Sequence, residues 1–274
     1  MKSLKPRLIT AAIGIPSIIL VLLLGEFIPW TISIVFSILC VIMTIEVLSA
    51  RKLHNDIAIV ISCVLFAFVF PLLITTQYKL IPVYAFALAM LLILIVNNQK
   101  ITFADISFSF TCISLIVFGM CSMLLTSNYL GGKISFVFCL CVGVAWISDC
   151  GAYFAGVLLG KHKLCPSISP NKTVEGFFGG LLLGLLSGVV IGGAFMLIYR
   201  DFAVNFIALI ILGLLGSLVS VLGDLTFSLI KRSCGIKDYG SIFPGHGGFL
   251  DRADSVIFVA PLVYLFCTNI NVVL

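Results

Sequence analysis

The run FAVNFIALIILGLLGSLVSVLGDLTFSLI (residues 202–230) is apolar from end to end except for a thin polar trace. Ser217, Ser220, Asp224 and Ser228, with Lys231 just beyond, are separated by 3, 4, 4 and 3 residues. At 100° per residue they share one side of a helix, whereas a strand would alternate. At 1.5 Å per residue the run is long enough to cross the roughly 30 Å of a bilayer's hydrocarbon. A polar line inside lipid must face protein or water. Close packing through Gly213, Gly216, Ser220 and Gly223 accounts for the small residues. It does not account for Asp224, because a charged carboxylate at mid-helix costs about 2.5–3.5 kcal/mol to insert and marks a site.

The rest of the chain has the same character. Of 274 residues, 61% are hydrophobic and only 10% charged, and the mean hydropathy is +1.27, values foreign to a water-soluble surface. Apolar runs occur at 8–25, 28–48, 57–76, 80–96, 106–126, 134–160, 174–199, 202–230 and 255–274. Solid runs, not alternating ones, predict an all-α polytopic membrane protein with about nine transmembrane helices. The basic start MKSLKPR leads into a run too long for a secretory leader, with no small-residue cleavage site after it, and reads as an uncleaved first span. The ten cysteines fall mostly inside spans and form no CxxC pattern. Cys139 and Cys141 point to different helix faces, so neither a zinc site nor a disulfide is expected.

Lysine and arginine set the orientation. With the N-terminus cytoplasmic, that side collects Lys2, Lys5, Arg7, Arg51, Lys52, Lys100, Lys161, Lys163, Lys172, Lys231, Arg232, Lys237 and Arg252. The opposite side keeps Lys79, Lys133 and Arg200. The positive-inside rule then places the loops that follow the sixth and eighth spans in the cytoplasm. The net charge of +5 is a topology signal that also suits anionic headgroups or nucleotides. No basic run with interleaved aromatics suggests nucleic acid.

Polarity divides the chain at about residue 130: 1–130 reads as transmembrane scaffold, 131–274 as the catalytic region with its polar loops. Glu46 is the exception in the first part, and either supports the site or pairs at the interface. Gly176, Gly180, Gly184, Gly188 and Gly192 recur every fourth residue, as in a close helix-packing or dimer face. The loop KHKLCPSISPNKTVEG (161–176) is expected to bring Pro170, Asn171 and Lys172 to a helix N-terminus, which favours phosphate; an ordinary capped helix is the plain alternative. Asp149 is followed on its own face by Tyr153, Gly156 and Gly160, room for another helix beside the acid.

The segment KDYGSIFPGHGGFLDRADS (237–255) breaks the apolar pattern. Gly240, Gly245, Gly247 and Gly248 allow the close backbone approach of a phosphate-cradling loop. Asp251 and Asp254 recur one turn apart at the start of the last span. Carboxylates without thiolates suit Mg²⁺, and with Asp224 they offer such a site, surrounded by Lys231, Arg232, Lys237 and Arg252. Carboxylates, a hard cation and basic groups together describe phosphate chemistry.

These residues resemble the phosphatidate cytidylyltransferase (CDP-diacylglycerol synthase) family. SLIKRSCGIKDYGSIFPGHGGFLDRADS (228–255) carries its S-x-x-K-R, K-D-x-G, P-G-H-G-G and D-R-x-D elements, supported by GDL at 223–225, ISD at 147–149, the 161–176 loop and the basic LKPRLITA start. Cys150-Gly151 departs from the family pattern. The resemblance implies transfer of CMP from CTP to phosphatidic acid, giving CDP-diacylglycerol and pyrophosphate, in a bacterial cytoplasmic membrane with the site facing the cytoplasm. It implies that Asp224 and Asp251 hold Mg²⁺, with a monovalent cation such as K⁺ associated. Lys231, Arg232, Lys237 and Arg252 are then expected to bind the lipid phosphate and triphosphate, with Lys172 helping, and Asn171 and Ser228 join the substrate contacts. Asp149, Asp238 and Asp254 are expected to orient these groups, and His246 either donates to a phosphate oxygen, assists proton transfer or serves a turn. Membrane lipid and a homodimeric partner complete the expectation. A CTP-dependent lipid kinase and a polytopic transporter are the rivals that the residues leave open.

Overall fold

The computed structural model describes residues 4–199, 202–242, 247–270 and 272–273. Among them lie nine α-helices: α1 (Leu4–Phe27), α2 (Pro29–Ala50), α3 (Ile57–Leu73), α4 (Leu80–Val96), α5 (Phe103–Tyr129), α6 (Ile134–Leu159), α7 (Val174–Ile198), α8 (Phe206–Ser233) and α9 (Leu250–Asn269). Five of these, α2, α5, α6, α7 and α8, are long and apolar enough to cross a membrane. The 17-residue α3 and α4 reach only about 25 Å, and α9 opens with Asp251, Arg252 and Asp254. The chain is an integral membrane protein of nearly pure α class.

One hairpin among the described residues breaks the helical pattern. Residues Lys163–Cys165 (β1) and Ser169–Thr173 (β2) form an antiparallel hairpin. Pro170 and Asn171 therefore lie in a strand, not at the helix start as expected. The cap of α7 is Thr173, whose hydroxyl accepts the Gly176 N–H at 3.1 Å. Glu175 clasps the hairpin: its carboxylate accepts the Lys161 and His162 backbone N–H groups and faces His162 Nδ1 at 2.7 Å. The eighth helix begins at Phe206, later than its apolar run, because the Asn205 side chain accepts from the N–H groups of Ile207 and Ala208 and ends the preceding extended segment. The last helix begins at Leu250, ahead of its apolar run, with Asp251 and Asp254 in its opening turns as expected.

The chain forms two compact units, Met1–Leu124 with Cys234–Arg252, and Leu125–Ser233 with Ala253–Leu274. In the first, aromatic rings join α3, α4 and α5: Phe66 stacks on Phe86 at 4.4 Å, Phe86 on Phe110 at 5.4 Å, and Phe70 meets the edge of Phe118 at 5.0 Å. Arg51 binds Asp105 at 3.1 Å, tying the end of α2 to the start of α5.

The second unit is joined by backbone proximity. A Cβ at Gly176 would stand 2.6 Å from the Ala152 carbonyl, at Gly180 3.0 Å from that of Ser148, and at Gly188 2.9 Å from that of Leu209, while at Gly184 it would fall on Ser217. The four-residue glycine ladder is thus consumed inside the unit, where α7 packs on α6 and α8, and is not a free face for a second copy. Gly151 backs onto the Gly179 carbonyl, its Cβ position 2.7 Å away, so the departure at Cys150-Gly151 sits at a helix contact that a larger residue would open. Gly213 lies equally close to the Gly184 carbonyl and Gly223 to that of Asp254, at 2.6 and 2.8 Å.

Candidate functional site

The polar line of α8 holds in three dimensions. Ser217 and Ser220 are buried, Ser217 donating to the Gly213 carbonyl at 2.7 Å and Ser220 meeting Ser148 of α6. Farther along the same line, Asp224 pairs through Oδ2 with the ammonium of Lys172 on β2, and Ser228 donates to its Oδ1 at 3.3 Å. The Lys172 Nζ is shielded from solvent and makes no further hydrogen bond among the described residues. An ammonium has three donors, so this one retains unmet capacity for an anion. The hairpin puts it there: Thr173 and Glu175 fix β2 to the start of α7, and Gly156 of α6 and Gly160 just past its end leave room for Thr173, whose hydroxyl would stand 2.9 and 3.0 Å from Cβ atoms at those positions.

A second cluster gathers on α9 within the same unit. The Ser255 hydroxyl bridges Asp149 Oδ2 at 3.3 Å and Asp254 Oδ1 at 3.4 Å, and the Ser255 N–H donates to Asp254 at 2.8 Å. Asp254 is buried and feels the charges of Asp224, Lys231 and Asp149. The second unit therefore brings Lys172, Asp224, Ser228, Lys231, Asp149 and Asp254 into one electrostatic neighbourhood. Arg232 lies exposed near the end of α8, and Asn171 exposed on β2.

In the first unit Asp251 has a different setting. Its Oδ2 accepts the backbone N–H groups of Tyr239 at 2.8 Å and Gly248 at 2.9 Å. Beside it, Glu46 of α2 is buried, 6% exposed, and its two oxygens accept Phe249 N–H at 2.9 Å and Leu250 N–H at 2.7 Å. Those amides open α9 and would otherwise lack partners. The glycines of this loop serve the same acid. A Cβ at Gly240 would stand 2.6 Å from Glu46 Oε1, one at Gly248 would fall on that oxygen, and Gly247 holds a φ of 83°. Gly240 and Gly248 were expected to cradle phosphate; what they admit is a carboxylate from another helix. Among the described residues Glu46 pairs with no basic side chain; its partners are these backbone amides. Lys237, Asp238 and Arg252 are exposed, while His246 and Gly245 lie outside the described residues.

Sequence patterns pointed to neither Thr173 nor Ser255. The signal for Thr173 was a threonine immediately before an apolar run, an N-cap position; that for Ser255 was a hydroxyl beside a buried acid. As for a metal, the donors are carboxylate oxygens, which suit a hard divalent ion; those of Asp224 meet Lys172 and Ser228, and Oδ2 of Asp251 meets backbone amides. No three potential protein ligands converge among the described residues. That is compatible with Mg²⁺, which typically takes one or two carboxylates and completes its shell with water and substrate phosphates.

A family model for the cytidylyltransferase family matches residues 5–270. The phosphatidate cytidylyltransferase of Staphylococcus saprophyticus is 41% identical over 176 residues, 64% of this chain and 64% of the relative. Those of Bacillus subtilis, 42% identical over 167 residues and 60% of each chain, and of Staphylococcus haemolyticus, 51% over 120 residues and 44% of each, are similar too. The chain thus matches less than two thirds of the length of these relatives.

Proposed function

The chain belongs to the cytidylyltransferase family, and from that membership we propose that it transfers CMP from CTP to phosphatidic acid, forming CDP-diacylglycerol and pyrophosphate for phospholipid synthesis. The observation that carries this reading is the shielded Lys172 ammonium set against Asp224 on a polar line of an apolar helix, a cation held ready for an anionic group at the membrane. Relatives that share this family are named for the same reaction.

In the proposed reaction a phosphate oxygen of phosphatidic acid attacks the α-phosphorus of CTP. A bond from that oxygen to phosphorus forms, the bond from phosphorus to the bridging oxygen of the β-phosphate breaks, and the electron pair leaves with pyrophosphate. No protein nucleophile is needed. The work of the side chains is to neutralise two approaching anions and align them. Lys172, Lys231, Arg232, Lys237 and Arg252 supply positive charge, with Asn171 and Ser228 as neutral contacts. Asp149, Asp238 and Asp254 orient their neighbours, and His246 donates to a phosphate oxygen. Asp224 and Asp251 are the proposed ligands of Mg²⁺, which when bound neutralises triphosphate charge and stabilises the departing pyrophosphate; a monovalent cation such as K⁺ is a further part of this proposal. The active face is cytoplasmic, on the strength of the lysine and arginine asymmetry, in the inner membrane of a bacterium. A homodimer would use a face other than the glycine ladder of α7.

Purified protein supplied with phosphatidic acid, Mg²⁺ and CTP labelled in the cytidine should place that label in lipid and release pyrophosphate. EDTA should abolish the transfer and added Mg²⁺ restore it, while a zinc-selective chelator does little. Labelled γ-phosphate in the lipid without cytidine would make the protein a lipid kinase, and solute flux without CTP consumption would make it a transporter. Inside-out membrane vesicles should use external CTP and right-side-out vesicles should not.

A further inference from the structure

We propose that Glu46 is a positioning residue: by holding the backbone that leads into α9 it sets the orientation of Asp251, so that an acid of the second helix governs turnover in the reaction proposed above. What Asp251 contributes to turnover rests on that reading; what Glu46 holds does not.

The two carboxylates divide the amides of one loop between them. A side chain in the first turn of a helix ordinarily satisfies the unpaired N–H groups of its own N-terminus. Here Glu46 takes Phe249 and Leu250 from outside, and Asp251 turns back instead to Gly248 and to Tyr239, twelve residues earlier. Asp251 is thereby pinned through one oxygen at two backbone points, both in the strip of chain that Glu46 anchors. The fit leaves no slack, since Gly240 and Gly248 are the only residue type whose side chain does not meet the Glu46 carboxylate. A cap alone would be supplied more cheaply by a serine, asparagine or aspartate at the helix start. A buried acid brought from α2 instead takes the two amides that directly follow Gly248 and lies against Gly240, the neighbour of Tyr239. Removing one acceptor frees an amide, lets the strip shift and turns Asp251 with it.

The test is Glu46→Gln, which keeps the shape but replaces one acceptor by an amide NH₂ facing a backbone N–H. Each variant is normalised to protein inserted in the membrane. Amide hydrogen exchange over residues 239–251 should accelerate at least tenfold while α3 and α5 are unchanged. Turnover per inserted molecule should fall about 10- to 100-fold, the size of effect seen when a group that orients a ligand is lost, with KM for phosphatidic acid within twofold. Gly248→Ala, which displaces the same carboxylate oxygen, should reproduce both changes. A purely structural Glu46 would lower the amount of inserted protein and leave kcat per inserted molecule alone. Turnover within twofold of wild type in a variant that inserts, or unchanged exchange over 239–251, overturns the proposal. If Glu46→Gln does not insert, Gly248→Ala decides it. Absence of CTP-dependent labelling in the wild-type protein would instead remove the functional reading, and exchange alone would then judge whether Glu46 holds the loop.

Discussion

Two acids of the first unit, Glu46 and Asp251, and one of the second, Asp224, are satisfied by different kinds of partner. Glu46 accepts the backbone N–H groups of Phe249 and Leu250, and Asp251 those of Tyr239 and Gly248. Asp224 faces the ammonium of Lys172 and a serine hydroxyl, and Asp149 and Asp254 meet across the Ser255 hydroxyl. Backbone amides cannot leave or change rotamer, so an acid bound to them is locked and in turn locks the chain. A lysine or serine side chain can swing to a new partner. The second arrangement suits groups that must exchange a protein partner for a phosphate during a reaction; the first suits groups that hold a loop in place. Aromatic rings interlock in both units, around Phe66, Phe86 and Phe118 in the first and around Phe136, Phe195 and Phe202 in the second, where close backbone contact along α7 is added.

The largest expected effect tests the exchangeable side of this contrast. Asp224→Asn and Lys172→Met should each lower CTP-dependent lipid labelling per inserted molecule by about 10²- to 10³-fold, the loss typical of a removed charge-stabilising group. Groups that act as a unit are not additive, so the double variant should be barely worse than either single one. Fully additive losses would show that the pair is not a functional unit, and near-wild-type labelling by either variant would return it to structure alone.

A smaller effect probes the packing. Gly184→Ala should destabilise by about 1–3 kcal/mol, as overpacking does, because its Cβ falls on Ser217. Gly193→Ala, with nothing within 4 Å of its Cβ position, should be neutral or stabilise by up to about 1 kcal/mol through helix propensity. Thermal unfolding in detergent distinguishes the two, and equal effects would mean that the α7 ladder does not set helix spacing.

The smallest concerns Arg51, whose pairing with Asp105 is partly exposed, at 33% and 20%. Solvent screening limits such a pair to about 0.2–1 kcal/mol, so Arg51→Gln should lower the unfolding temperature slightly and leave turnover per inserted molecule unchanged. A large loss of turnover would extend the positioning role beyond the Glu46 loop.

Much of this was legible along the chain. Hydropathy located the helices to within a few residues, and the 3, 4, 4, 3 spacing of α8 identified a polar face before any neighbour was known. The dense polar segments 161–176 and 223–255 marked where charged side chains gather, and a resemblance carried by contiguous motifs named the family. The glycines were harder. Those of α7 read as a packing or dimer face, and only the carbonyls of Ala152, Ser148 and Leu209 showed what they pack on. Those of 240–248 read as a phosphate loop, because a glycine that admits a phosphate and one that admits a carboxylate from another helix look the same in sequence.

Membrane class, helical class and the location of polar chemistry were determined by the sequence itself, since each depends on the local density and period of apolar residues, which neighbours in the chain specify. The tertiary structure alone decided that Lys172 faces Asp224, that residues 163–173 make a hairpin, and that Glu46 caps a helix beginning more than two hundred residues later. The physical reason is the identity of the partners. Backbone N–H and C=O groups are the same at every non-proline position, so no spacing or motif can announce which distant amide a buried carboxylate will find.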